Sequence, residues 1–487
     1  MAASAAPLYQ RFADTAARVP GALAIEAGGE RVTHRQFIAL ADTQAAAWAA
    51  QGLGAGSCIG WLGHNSVAML AGLLACAKLG AVFVPLNWRL APAELVAMAD
   101  HAGLSALQHT PELDGLAAQL RTGAAPAGGT TAPGQPGDVL LVYTSGTTGE
   151  PKGALHTQQG MLANIDMALA VQGITAADRV LAVLPLFHVG GLCIQVLPAL
   201  AAGAAVNLHA RFDPGAWLHD VAHWRPATSL LVPAVMQAVL AHPAWPAADL
   251  SALRFLNSGS SIVPVALIEA FHARGVPVVQ VYGSTETGPF SIALAPAEAM
   301  SQVGSTGRPA PGVQLRLADA AGQPVPAGDV GEIWLRAPNL MRSYHRLPPS
   351  GPGSGFVDGW FATGDLARTD ARGWVTVVGR SKDMLISGGE NIYPAEIENI
   401  AATWPGVAEA AVVGLPDARW GEVPVLVLVP QPGALVDVAG LQAHLQLLLA
   451  RFKQPRRTVL MDAVPRTALG KVQKAALRAL LAGAAAG

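Results

Sequence analysis

Apolar positions fall along this chain in two alternating textures. Phe37, Leu40, Ala41 and Trp48 recur at helical spacing behind Thr33 and Gln36, a pair spaced to satisfy the first free N–H groups of a helix, and Gly52 supplies the stop. Short unbroken apolar runs alternate with such helical stretches: Cys58-Ile59-Gly60-Trp61, Ala81-Val82-Phe83-Val84, Val139-Leu140-Leu141-Val142, Val180-Leu181-Ala182-Val183, Ser229-Leu230-Leu231-Val232 and Val278-Val279-Gln280-Val281. Runs without a polar alternate position predict strands covered on both faces, so the pattern predicts an α/β architecture with largely buried sheets. No internal repeat is visible.

Residues 181–206 carry no Asp, Glu, Lys or Arg, long enough to cross a bilayer. Pro185, His188, Gly190, Gly191, Gln195, Pro198 and Gly203 interrupt them, so they read as strand, turn and helix buried in a globular domain. Residues 121–137 and 348–355 are rich in Gly and Pro and read as a loose connection and a mobile surface insert. After Gly379-Arg380-Ser381-Lys382-Asp383 the texture changes. Strand-like Ala410-Ala411-Val412-Val413 and Val425-Leu426-Val427-Leu428-Val429 flank helical patterns at 395–402 and 440–451. We therefore expect a large N-terminal domain, residues 1–380, and a small one, residues 381–487, of about a hundred residues.

Composition narrows the function classes. The 487 residues are 52% hydrophobic and 13% charged, which excludes a disordered chain, although much of the apolar count is alanine. A net charge of −2 gives no basic balance for nucleic acid or an acidic membrane surface. Three widely spaced cysteines, Cys58, Cys76 and Cys193, suit neither a disulfide framework nor a zinc site, and a cytoplasmic setting is expected. The opening residues lack the basic and continuous apolar regions of a signal peptide.

The chemistry begins at Tyr143-Thr144-Ser145-Gly146-Thr147-Thr148-Gly149-Glu150-Pro151-Lys152-Gly153, directly after an apolar strand. Glycines let successive N–H groups point at one anion, hydroxyls add donors, and lysine adds a mobile positive charge, so this loop is built to hold phosphate. Its spacing is not that of a Walker A loop. The bland alternative is a flexible Gly/Ser/Thr surface loop. Further polar clusters follow: Pro185-Leu186-Phe187-His188-Val189-Gly190-Gly191, Tyr282-Gly283-Ser284-Thr285-Glu286-Thr287-Gly288, Trp360-Phe361-Ala362-Thr363-Gly364-Asp365, Ser387-Gly388-Gly389-Glu390-Asn391 and Pro465-Arg466-Thr467-Ala468-Leu469-Gly470-Lys471.

At these residues the chain resembles the adenylate-forming superfamily of acyl-CoA synthetases, luciferases and peptide-synthetase adenylation domains, with the motifs in family order from Tyr143 to Lys471 and a looser match before Tyr143. The resemblance implies stacked α/β subdomains in the large domain, a small mobile α+β C-terminal domain, and two half-reactions. A carboxylate attacks the α-phosphate of ATP to give an acyl-adenylate and pyrophosphate, and a thiol then displaces AMP. It implies that Thr144, Ser145, Gly146, Thr147, Thr148 and Gly149 cradle phosphates with Lys152 nearby. Glu286 would offer a ligand to Mg2+, Thr285 would reach the α-phosphate, and Tyr282 would face adenine while Gly283 lets the backbone pass closely. Asp365 would accept from the ribose hydroxyls with Arg380 assisting. Lys471 would contact the reacting carboxylate, Lys382 would serve as the hinge, and the loop holding Gly388 and Gly389 would present the other face for thiol attack. Taken singly, each has a plainer reading: Glu286 a capping acid, Tyr282 core packing, Asp365 a turn aspartate, Lys471 a solvated charge.

Peptide-synthetase domains carry aspartate after the Phe of the second cluster, to bind an ammonium; His188 stands there instead, which argues against an α-amino acid. His188 lines the acid or pantetheine channel, or is a buried histidine donating to a carbonyl. Val189, Gly190, Gly191, Cys193, Val232, Pro233, Met236, Asn257, Ser258, Gly259, Ser284 and Phe290 are the expected pocket walls, small or apolar and without a cation for a second carboxylate. They suit an aromatic or short- to medium-chain monocarboxylic acid. The leading expectation is an acid–CoA ligase using ATP, Mg2+ and coenzyme A on a small-molecule carboxylic acid, with a homodimer left open. The alternatives are an enzyme loading an acid onto a carrier-protein thiol, an o-succinylbenzoate-type CoA ligase, and a nucleotide-binding scaffold without the reaction.

Overall fold

The computed structural model describes residues 6–123, 135–144, 152–387, 390–417, 419–466 and 471–483. Ser145, Gly146, Thr147, Thr148, Gly149, Gly388 and Gly389 lie outside the described residues. Two sheets make most of the large N-terminal domain. One has nine strands, and its centre is parallel: Val278–Tyr282, Phe255–Gly259, Thr228–Leu230, Arg179–Ala182 and Ala205–Leu208 lie side by side. The other has six strands, with Val82–Leu86 between Cys58–Leu62 and Asp138–Thr144, and Lys152–Thr157 folding back antiparallel on Asp138–Thr144. The unbroken apolar runs become strands buried along most of their length, as Cys58–Leu62 and Val82–Leu86 show.

The helix Val67–Leu79 shows why the layers stack this way. Ser66 accepts from the Met69 N–H and opens it, and Gly80 closes it with φ +70°. Nearly every side chain between is apolar and buried, so the helix needs cover all round and has no solvent face. Thr33 and Gln36 form the reciprocal cap on His34–Ala50. Residues 181–206 resolve into strand, turn and buried helical turns, including Leu192–Val196 wound as a π-helix. Among the described residues no helix is long and apolar enough to cross a membrane.

One region departs from the α/β alternation. Gln314–Ala318, Val330–Arg336, Phe356–Val357, Trp360–Thr369 and Val375–Arg380 form an antiparallel sheet. Its strands are half-buried and alternate: Gly331, Ile333 and Leu335 point in, Glu332 and Trp334 partly out. Continuous apolar runs do not reveal such strands; period-two alternation does. The small C-terminal domain has its own sheet, with Val407–Asp417 and Gly421–Pro430 paired over their full lengths. Its core gathers Leu385, Ile397, Val412, Leu426 and Leu441. The three cysteines are buried free thiols.

Candidate active site

Parallel strands deliver the site. Open α/β sheets bind ligands at the carboxyl ends of their strands, where loops converge and backbone N–H groups are free. Gly259 and Tyr282 end neighbouring parallel strands, His188 follows Arg179–Ala182, and Thr144 ends Asp138–Thr144. Close packing excludes side chains at several of these turns. A Cβ on Gly259 would sit 2.2 Å from the Val281 carbonyl oxygen, and one on Gly283 2.2 Å from that of Pro289. Gly288 adopts φ +57° and would meet the Asn339 carbonyl oxygen at 2.2 Å.

Asp365 and Arg380 face each other across paired strands, with Arg380 Nε 3.0 Å from Asp365 Oδ1. Tyr282 Oη donates to the other oxygen, Oδ2, at 2.9 Å. Burial raises the Asp365 carboxyl, while Arg380, the Tyr282 hydroxyl and Lys471 act to keep it ionised. Burial also lifts the Tyr282 phenol, so it stays a donor.

Glu286 is the point where distant segments meet. Its charge is felt by His156, Tyr344, Asp365 and Lys471, four residues from four separate stretches. Tyr344 Oη donates to Glu286 Oε1 at 3.0 Å. The Glu286 carbonyl accepts from the Met341 N–H at 2.8 Å. The neighbouring turn is held by Thr287, whose hydroxyl accepts from the Ser284 N–H at 2.8 Å, and the Thr285 carbonyl meets the His156 ring. Lys152 lies with Nζ 5.2 Å above the Tyr344 ring, and the Thr144 hydroxyl donates to the Lys152 carbonyl at 3.4 Å.

Lys471, from the small domain, enters this group half-buried. Burial and Arg380 press its ammonium pKa down; Asp365 and Glu286 hold it up, and Lys382 adds a further downward push. Lys471 also reaches His188, whose imidazole burial, Lys471 and Arg89 together depress to about 3. His188 is therefore neutral at ordinary pH, and its Nε2 is buried with no hydrogen-bond partner among the described residues. A single hard carboxylate at Glu286 fits Mg2+, which takes one or two protein carboxylates and otherwise keeps water and substrate phosphates. No group of three His, Cys, Asp or Glu among the described residues is arranged to hold a metal by itself.

Val189, next to His188 in the chain, borders a small cavity. Met161, Asn164, Val189, Cys193, Gly288 and Pro289 line it together with His156, Gly160 and Asn339. Val189 and Cys193 were expected there. Asn257 and Ser258 turn their side chains into the core instead, the first donating to Gln172 Oε1 at 2.8 Å and the second lying 3.2 Å from the Met236 sulfur. The sequence motifs do not reach Asn164 and Asn339. Asn339 donates to the Gly288 carbonyl at 2.8 Å, and Asn164 to that of Cys193 at 2.8 Å. Nor do they reach Tyr344; its only signal in the sequence is a lone tyrosine after a strand.

Residues 12–345 match the AMP-binding enzyme family, and residues 396–471 match the C-terminal domain of AMP-binding enzymes. The chain is similar to an indoleacetate–CoA ligase of Aromatoleum aromaticum, 44% identical over 95% of this chain and 96% of that one. It is 41% identical to a feruloyl-CoA synthase of an Amycolatopsis species, over 94% and 96%. Among solved structures it resembles an anthranilate CoA ligase in complex with anthranoyl-AMP, with a TM-score of 0.90, 27% identity and 98% of each chain covered.

Proposed function

The chain belongs to the AMP-binding enzymes, and from that premise we propose that it is an ATP-dependent ligase joining an aromatic carboxylic acid to coenzyme A. The acid's carboxylate attacks the α-phosphorus of ATP, pyrophosphate leaves, and the acyl-adenylate then gives its acyl group to the CoA thiol while AMP departs. One observation carries this reading: Lys471, from a separate domain, lies close enough to both Glu286 and Asp365 for their charges to act on its ammonium.

Bringing a carboxylate to a triphosphate gathers negative charge, and fixed positive groups and donors must stabilise it. Lys471 supplies an ammonium between the reacting carboxylate and the α-phosphate. Thr144 and Lys152 flank the phosphate loop, which the residues Ser145 to Gly149 would complete, and Thr285 offers a hydroxyl to the α-phosphate. Asp365, fixed by Arg380 and Tyr282, accepts from the ribose hydroxyls. Mg2+, when bound, would be held by Glu286 and would neutralise phosphate charge. Neutral His188 borders the acid without adding a charge that would hold the carboxylate back. We divide the chain at residues 380 and 381. Lys382 is then the hinge about which the small domain turns to bring the Gly388–Gly389 loop to the thiol.

The named substrates of the relatives support an aryl or arylalkanoic monocarboxylic acid. The expected setting is the cytoplasm, as a monomer or a homodimer. Pyrophosphate release across a carboxylic-acid library with CoA present tests the proposal. Indole- and phenylpropenoid-type acids should give the highest rates, each with matching thioester. Release driven only by α-amino acids, or none with any acid, would overturn it.

A further inference from the structure

Residues 341–346 do several jobs at once, and none of them is explained by the motifs around them. The Met341 N–H binds the Glu286 carbonyl at 2.8 Å. Ser343–Tyr344 adds as a short antiparallel strand beside Lys152–Thr157, with Tyr344 opposite Ala154. The His345 N–H donates to the Gly153 carbonyl at 2.6 Å, directly after Lys152. The His345 ring lies 5.4 Å from that of His101, which in turn meets the Tyr143 hydroxyl at 2.8 Å, directly before Thr144. The segment thus touches the Lys152 stem of the phosphate loop, reaches the Tyr143 stem through His101, and holds the backbone of Glu286.

Its end is strained. Arg346 takes φ +63°, a left-handed conformation costly for a branched or long side chain, and its guanidinium donates to the Asp100 carbonyl at 3.2 Å. Such strain persists where surrounding contacts over-determine the backbone. Here those contacts all serve to hold Tyr344 in place. The phenol then occupies Glu286 Oε1, and its ring sits under the Lys152 ammonium.

We propose that Tyr344 is a positioning residue for the nucleotide's metal: by donating to Glu286 Oε1 it fixes the carboxylate so that Oε2 is presented to the cation carried by ATP, while its ring supports Lys152 at the phosphates. This rests on the reading of the cleft as an ATP site. A carboxylate free to rotate would spend entropy on each binding event. One oxygen already satisfied by a neutral donor leaves a single, oriented ligand, as outer partners of metal ligands commonly do.

The test uses Mn2+ as a spectroscopic substitute for Mg2+. Free Mn2+ is followed by electron paramagnetic resonance as it is titrated into the enzyme–ATP complex of the wild type, Tyr344→Phe, Glu286→Gln and the double variant. Tyr344→Phe keeps the ring and should still fold. It should weaken Mn2+ binding about tenfold and raise the KM for ATP, with the KM for the acid unchanged. In the Glu286→Gln background the Tyr344→Phe change should add nothing. Superimposable Mn2+ titrations for wild type and Tyr344→Phe, with ATP bound equally by both, would overturn the positioning role alone. If the wild type itself bound no ATP-dependent Mn2+, the ATP-site reading and the positioning role would both be overturned.

Discussion

At the end of the cleft that we assign to the nucleotide, charges come with partners. Asp365 lies between Arg380 and Tyr282, Glu286 takes the Tyr344 hydroxyl, and Lys471 stands near both acids. At the end that we assign to the acid, the groups are neutral and the constraint is space. His188 is uncharged, glycines at 191 and 288 leave no room for a Cβ, and Asn339 Oδ1 is buried with no partner among the described residues. The two ends should therefore fail differently. The first is sensitive to removal of a charge, because ATP's phosphates need fixed positive groups already in place. The second is sensitive to added volume, because close-packed backbone cannot yield.

The sharpest way to break that contrast is Lys471→Ala. Losing one preorganised positive group from the reacting centre should lower acyl-adenylate formation about a hundredfold or more. Thioester formation from supplied acyl-adenylate should survive, because no carboxylate then has to be brought to a triphosphate. Separate assays of pyrophosphate release and of CoA thioester decide it; equal loss in both half-reactions would mean that Lys471 only seats the small domain.

A smaller effect tests the acid end. Gly288→Ala places a Cβ 2.2 Å from the Asn339 carbonyl oxygen on a backbone with φ +57°. The strain should cost about 1–3 kcal/mol of stability, read as a lower melting temperature. The KM for aromatic acids should rise and that for ATP stay constant. A rise in the ATP value instead would show that the two ends are not independent.

The smallest effect concerns pH. His188, depressed to about 3, and His156 and His345, each depressed to about 4, are held neutral, His156 fully buried and the other two half-buried. In the unfolded chain each takes a proton near pH 6.5. The unfolded state therefore binds more protons below that point. The stability contributed by these groups is full above pH ~6.5 and falls as pH drops toward the folded values. Denaturant melts between pH 7 and pH 4 should show that decline, and His188→Gln should make it shallower. An unchanged slope would mean that His188 does not reside in the folded protein as a neutral imidazole.

The parallel sheets were legible because their strands are covered on both faces. A doubly buried strand has no polar alternate position, so Cys58–Leu62 and Val82–Leu86 announce themselves as runs. The antiparallel sheet from Gln314 to Arg380 was not, since its half-exposed strands break the apolar run with outward residues such as Glu332 and Arg336. The site divides the same way. Thr144, Glu286, Asp365 and Lys471 stand in compact motifs. Tyr344, Asn164 and Asn339 stand alone in sequence, and each has a partner more than fifty residues away.

From the residues alone came the expectation of a phosphate-binding loop, the order of the motifs and the change of texture after Asp383, because glycine, hydroxyl and apolar patterning act within a few residues of themselves. Tertiary structure alone decided that Glu286 shares its neighbourhood with His156, Tyr344, Asp365 and Lys471, and that His188 is held neutral. Charge interactions and burial depend on distance in space, and a linear pattern carries no measure of that distance.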